Sequence, residues 1–141
     1  MKKLLLVCAI TVSIMCASPV HAATRELLCD QRSDISDMVS AQRAGRYQVD
    51  YVMWRESRCR QVAFNPTDPN GGSYGLFQIN AYWCKPNKYF KNGVLQAWGI
   101  VKSCEDLFNP RVNALAFMAI FDYAERHYGD GWLPWGGKPW I

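Results

Sequence analysis

The sequence predicts a mainly α-helical, α+β domain, with several helices packed around one central buried helix and a small β or irregular region flanking a cleft. Three observations carry this. Residues 109–129 are apolar nearly all round, between a helix-start and a helix-stop signal. Residues 30–42 and 49–56 place apolar side chains at helical spacing. Between these and the long run, residues 64–73 hold Asn65-Pro66, Asp68-Pro69 and Asn70-Gly71-Gly72 in close succession, which fits a loop or a short irregular hairpin.

Each element has a local reason. In the first helical segment Ile35, Met38 and Val39 recur on one face, and Gly45 ends the pattern. In the second, Val49, Val52, Met53 and Glu56 fall at i, i+3, i+4 and i+7, so a glutamate ends an apolar stripe. Residues 74–79 fit a strand or a buried turn of helix, and periodicity does not choose between them. Residues 85–99 read as loop with one short helix. In the long helix Asn109 is the N-cap and Pro110 the first helical residue, with Gly129 as the stop. Val112, Leu115, Ala116, Ala119, Ile120 and Tyr123 keep the helical rhythm, and Phe117, Met118 and Phe121 make the helix apolar nearly all round, so it should be the central, buried one. The tail, residues 131–141, sets Trp132, Trp135 and Trp140 among prolines and glycines.

Residues 1–22 read as an export signal. Lys2 and Lys3 precede a short apolar run, and Val20-His21-Ala22 supplies small residues at −3 and −1 of a cleavage site. The run is shorter than the ~20 residues of a spanning helix. Cleavage after Ala22 leaves residues 23–141 as one domain with no further apolar span, placed in the periplasm or secreted. Removing Lys2 and Lys3 takes the 16 basic residues to 14 against 12 acidic ones, a net charge of +2. That is too little to argue for nucleic acid as a partner. Four cysteines remain, Cys29, Cys59, Cys84 and Cys104. In an oxidising compartment they predict two disulfides with three possible connectivities. A zinc site is the competing reading, but the chain has no CxxC spacing. No metal or cofactor is expected.

The chemistry concentrates in residues 56–84, ESRCRQVAFNPTDPNGGSYGLFQINAYWC. An acid that protonates a leaving oxygen near neutral pH needs apolar surroundings that hold its proton. Glu56 ends such a stripe, and the tail tryptophans are placed to cover it; the competing reading is a helix-end salt bridge with Arg55 or Arg58. Gln78 and Asn80 alternate with Phe77 and Ile79, so one side of this segment offers amides to sugar hydroxyl and acetamido groups, or else forms a satisfied polar pair in a buried turn. Trp132 and Trp135 suit sugar stacking and equally a lid on the core. Tyr74 is core or a hydrogen-bonding neighbour of Glu56. His127 shows no base or nucleophile partner and reads as structural.

Taken together, these motifs resemble the lysozyme-like superfamily. Glu56-Ser57 looks like the catalytic glutamate and its following serine. Residues 72–79, Gly-Ser-Tyr-Gly-Leu-Phe-Gln-Ile, resemble the corresponding segment of lytic transglycosylases, and residues 74–80 with Trp83-Cys84 are similar to c-type lysozymes. Asp106-Leu107-Phe108-Asn109-Pro110, Asn113-Ala114, Gly131-Trp132 and Pro134-Trp135 resemble the closing part of small exported or phage-borne transglycosylases. The resemblance spans roughly residues 50–135.

The resemblance implies a lysozyme-like fold and a peptidoglycan-cleaving enzyme acting on the β-1,4 bond between N-acetylmuramic acid and N-acetylglucosamine. It implies Glu56 as the catalytic residue, with Ser73, Tyr74, Gln78, Asn80, Trp132 and Trp135 facing the glycan strand. It implies a Cys84–Cys104 bond, with Cys29–Cys59 as the other. One departure bears on mechanism. C-type lysozymes carry an aspartate just before the Tyr-Gly of this segment, where this chain has Ser73, which cannot serve as a second carboxylate. A transglycosylase reaction on Glu56 alone is therefore the first expectation. Hydrolysis assisted by Asp68, otherwise a turn residue, is the second, and a lysozyme-like wall-binding protein without activity the third. Chitin-type polymers stay open as substrates. The expected state is a monomer, and a cell-envelope machine is a further conceivable partner.

Overall fold

The computed structural model describes residues 25–42 and 44–140. The export signal read in residues 1–22, with Cys8 and Cys16, lies outside the described residues. Helix α1 (Ser33–Ser40) follows a 3-10 turn at Asp30–Arg32, and α2 (Arg46–Ser57) packs against it. Then come β1 (Phe64–Asn65), β2 (Ser73–Tyr74) and β3 (Ile79–Asn80), the four-residue α3 (Val94–Ala97) and the 19-residue α4 (Pro110–Tyr128). About half of the described residues are helical, so the class is α+β.

The strands form one small antiparallel sheet in the order β1-β2-β3. Phe64 faces Tyr74 and Asn65 faces Ser73; Ser73 in turn faces Asn80, and Tyr74 faces Ile79. Residues 74–79 are thus neither one continuous strand nor a helical turn: Tyr74 ends β2, Ile79 begins β3, and the hairpin turn between them holds Gly75 and Gln78 in left-handed backbone conformation. Gly75 is required there: a Cβ on it would lie 2.3 Å from both the Asn113 amide nitrogen and the Leu107 carbonyl oxygen.

Helix α4 begins and ends where its local chemistry dictates. The Asn109 side chain accepts from the N–H of Arg111 and Val112, and Gly129 closes the helix at φ 73°. Of the apolar rhythm, Ala116 and Ile120 are buried, and Val112, Ala119 and Tyr123 are half-buried. Asn113, Ala114, Ala116, Phe117, Ile120, Phe121 and Ala124 are buried, whereas Leu115 is 48 % exposed. A helix apolar nearly all round carries little phase information. Its phase is fixed by one polar residue, Asn113, which is fully buried. The Asn113 amide donates to the carbonyls of Tyr74 at 3.0 Å and Leu107 at 2.8 Å, and its oxygen accepts from the N–H of Phe77 at 2.9 Å. The bonds to Tyr74 and Phe77 hang the hairpin on α4, and the one to Leu107 ties in the turn that precedes the helix.

The stripe on α2 is buried as its spacing predicts, with Val49, Val52 and Met53 fully enclosed. Asp50, 2 % exposed, accepts from the N–H of Leu28 at 2.7 Å and Cys29 at 2.9 Å. The Cys29–Cys59 bond ties the same segment to the far end of α2, and Cys84–Cys104 joins the loop after the hairpin to the turn that leads into α4. Among the described residues no helix is long and apolar enough to cross a membrane.

Candidate functional site

Glu56 occupies the last turn of α2. The helix stops two residues later because Arg58 and Cys59 both take left-handed conformations, with φ 52° and 63°. The Glu56 side chain is 25 % exposed, so it sits at the edge of the core rather than inside it. Its neighbour holds it: Arg55 Nε and Nη2 donate to Glu56 Oε1 at 2.9 and 2.7 Å. Arg55 Nη2 also donates to the backbone carbonyl of Trp135. Of the two arginines weighed as partners of Glu56, Arg58 instead lies over the Trp54 ring at 4.0 Å.

Trp135 links this pair to the hairpin. Its indole N–H donates to the Phe77 carbonyl at 2.9 Å, and its ring packs on Phe117 with centroids 4.3 Å apart. It also borders a small cavity of about 50 Å³ together with Gln78, Asn80, Trp83 and Pro134. The end of α2, the hairpin and the Leu133–Trp135 turn therefore meet through Arg55 and Trp135.

The other sequence-predicted residues divide unevenly. Trp132 and Trp135 are only 6 % and 7 % exposed, and Trp132 meets Phe121 edge-on at 5.1 Å, so both form a lid on the core. Trp140, at 93 % exposure, covers nothing. Tyr74 is buried between Phe64 and Phe108. Gln78 donates to the carbonyls of Gly75 at 2.9 Å and Ala63 at 3.3 Å. The Asn80 oxygen accepts from the N–H of Tyr82, and its amide donates to the Pro69 carbonyl and to Ser73 Oγ. The two amides thus hold the hairpin together, while Gln78 and Asn80 still edge the small cavity. Ser73 is buried in the central strand. Asp68 accepts from the Asn65 amide at 2.8 Å, which is turn chemistry.

A larger recess adjoins the small cavity and shares Trp83 and Pro134 with it. It is an aromatic cup of about 450 Å³, within the ~300–1,000 Å³ usual for small-molecule sites. Trp83 meets Tyr123 edge-on at 5.6 Å, and Trp98 lies 6.0 Å from Trp83 and 5.9 Å from Tyr123. Tyr82, Tyr89 and Phe90 complete the near wall. Burial pushes the Tyr123 phenol up, and neighbouring Tyr128 adds to the effect, so it stays neutral at ordinary pH. His127 belongs to this wall. Its ring stacks on Tyr123 at 4.0 Å, and its Nδ1 lies 2.8 Å from the Tyr123 carbonyl. A carbonyl only accepts, so Nδ1 is the donor in this contact.

Sequence reasoning missed this cup because it joins residues 82–98 to residues 123–128. The available signal was the density of aromatics in both segments, four between 82 and 90 alone. Among the described residues no three His, Cys, Asp or Glu side chains converge as metal ligands would. No protein-family model matches the chain, and no solved structure matches it.

Proposed function

We propose that the protein is a lysozyme-like lytic transglycosylase that cleaves the β-1,4 bond between N-acetylmuramic acid and N-acetylglucosamine in peptidoglycan. The observation that carries the reading is the position of Glu56. It ends a buried apolar stripe, edges the core, and is fixed through Arg55 to the tryptophan that borders the hairpin cavity. Both bonds from Arg55 go to one oxygen, which leaves Oε2 outside that pair.

The absence of a second acid in the hairpin supports a single-residue mechanism. Residues 69–104 contain no Asp or Glu, Ser73 is buried mid-sheet, and Asp68 is engaged by Asn65. Glu56 gives its proton to the glycosidic oxygen as the bond to the anomeric carbon breaks. The N-acetyl group of the substrate stabilises that carbon in place of an enzyme carboxylate. The Glu56 carboxylate then takes the proton of the sugar's 6-hydroxyl, and the freed oxygen closes a 1,6-anhydro ring. No water is consumed, and Glu56 regains its proton.

Clearing of peptidoglycan in a zymogram by the wild-type chain, and its loss in Glu56→Gln, is the expected result. Clearing by neither protein moves the chain to the second reading, a wall-binding protein. The engagement of Glu56 by Arg55 is the observation that favours that reading.

A further inference from the structure

Exposed apolar side chains are not spread evenly over the molecule. Among the described residues eleven large ones are exposed, and five of these, Tyr82, Tyr89, Phe90, Trp98 and Tyr128, border the aromatic cup. Scattered single residues of this kind are ordinary, whereas a cluster marks a contact surface. Two of the five sit on one turn, residues 87–91, Asn-Lys-Tyr-Phe-Lys. The turn is closed by its own hydrogen bonds. The Asn87 oxygen accepts from the N–H of Tyr89 at 2.9 Å and of Phe90 at 3.0 Å, and the Phe90 carbonyl accepts from the N–H of Asn87 at 3.0 Å. Tyr89 is thereby held 71 % exposed on a fixed backbone, so little order is lost when it docks.

Lys88 and Lys91, both exposed, flank the aromatic pair in the sequence. The Lys88 ammonium lies over the Tyr89 ring, 4.7 Å from its centre, and Lys91 shares a shallow recess of about 180 Å³ with Phe90. The other charges nearby are offset or turned away. Arg126 on the cup wall shares a second recess with Asp122, and Lys85 lays its ammonium against Gly71, in the field of Glu105. A sugar stacks on a bare ring, and Lys88 already covers one face of Tyr89. The centre of a protein interface is depleted in lysine. Aromatic rings with polar tips, beside lysines on flexible stems, suit the headgroup layer of a membrane. We propose that the turn at residues 87–91, with the exposed rim of the cup, docks on an anionic lipid membrane. Tyr89 and Phe90 seat among the headgroups, and Lys88 and Lys91 pair with lipid phosphates. The inference goes beyond the proposed glycan cleavage and uses no part of Glu56.

The test is flotation of the chain, purified after export, with vesicles of phosphatidylcholine alone or mixed with phosphatidylglycerol. The mixed vesicles are expected to carry the protein, the neutral ones to carry much less, and added salt to release it. Lys88→Gln and Lys91→Gln should each lower partitioning onto the mixed vesicles about fivefold. Tyr89→Ala should lower it about tenfold on both kinds of vesicle, and Tyr89→Trp should restore it. Trp140→Ala, which removes an exposed ring that borders no part of the cup, should leave partitioning unchanged. Thermal melts of each variant accompany the assay. The two exposed lysine positions carry the test by themselves if Tyr89→Ala melts early. Absence of the protein from both vesicles, partitioning untouched by Tyr89→Ala and the lysine variants, or an equal loss in Trp140→Ala overturns the proposal. Retention by purified peptidoglycan and not by vesicles, lost in Tyr89→Ala, also overturns it and gives the surface to the glycan. Vesicle binding is read without turnover, so its outcome and that of the Glu56→Gln zymogram are independent.

Discussion

Arg55 donates two hydrogen bonds to a single oxygen of Glu56 and a third to the carbonyl of Trp135. One guanidinium thus orients the proposed acid and anchors the tryptophan turn. Replacing it with Met should lower kcat on peptidoglycan by about 10- to 100-fold, the scale of a misplaced catalytic group, with little change in KM. Because the pair is part-exposed, the melting temperature should hardly move, by the equivalent of less than about 1 kcal/mol. Turnover assays beside thermal melts check this. A large fall in stability with unchanged kcat would reassign Arg55 to structure.

Asn113 is the polar pin of the fold. Asn113→Ala leaves the Phe77 N–H and the carbonyls of Tyr74 and Leu107 unpaired inside the core. The expected cost is about 2–4 kcal/mol. Gly75→Ala should be at least as damaging, because it combines a left-handed backbone with a 2.3 Å clash against Asn113 and Leu107. Denaturant unfolding of both variants measures it; a loss under about 1 kcal/mol for either contradicts the packing described.

These two residues also mark how far the sequence could be read. The ends of α4 were legible because Asn109, Pro110 and Gly129 act within a few residues of themselves. Its rotation was not, because apolar side chains on every side look alike, and the one asymmetric position, Asn113, acts through contacts 36 and 39 residues away. The stripe leading to Glu56 was legible, and its pairing with Arg55 was one of two partners weighed. The aromatic cup was invisible to any periodicity, since its walls come from residues 82–98 and 123–134, which meet only in the folded chain.

Acid should weaken the turn into α4. The N–H groups of Lys102 and Ser103 donate to Asp106, and these bonds hold its carboxyl below the usual carboxylate range. A lowered folded-state pKa adds stability above the unfolded value, near ~3.9, and that gain is lost as pH falls through the folded one. Asp106→Asn should therefore lower the melting temperature at pH 7, and the gap to wild type should narrow below about pH 4. A gap that is constant down to pH 2 contradicts this role for the charge.

The Cys84–Cys104 bond closes a 20-residue separation around the near wall of the cup. Converting both cysteines to Ala should cost about 3 kcal/mol on the chain-entropy model. It should also disturb the cup more than the loss of Cys29–Cys59 does, since that bond joins the segment before α1 to the end of α2 and borders none of the cup. Calorimetric melts and vesicle titrations of the two double variants, side by side, give the comparison; equal effects on binding would separate the cup from its disulfide.

Mass spectrometry of purified peptidoglycan digested by the wild-type chain and by Glu56→Gln bears most directly on Glu56 as the sole acid and base. The single-carboxylate mechanism predicts fragments ending in 1,6-anhydro-muramic acid with the wild type and none with the variant. Fragments with reducing ends only, or anhydro products that persist in Glu56→Gln, would contradict it.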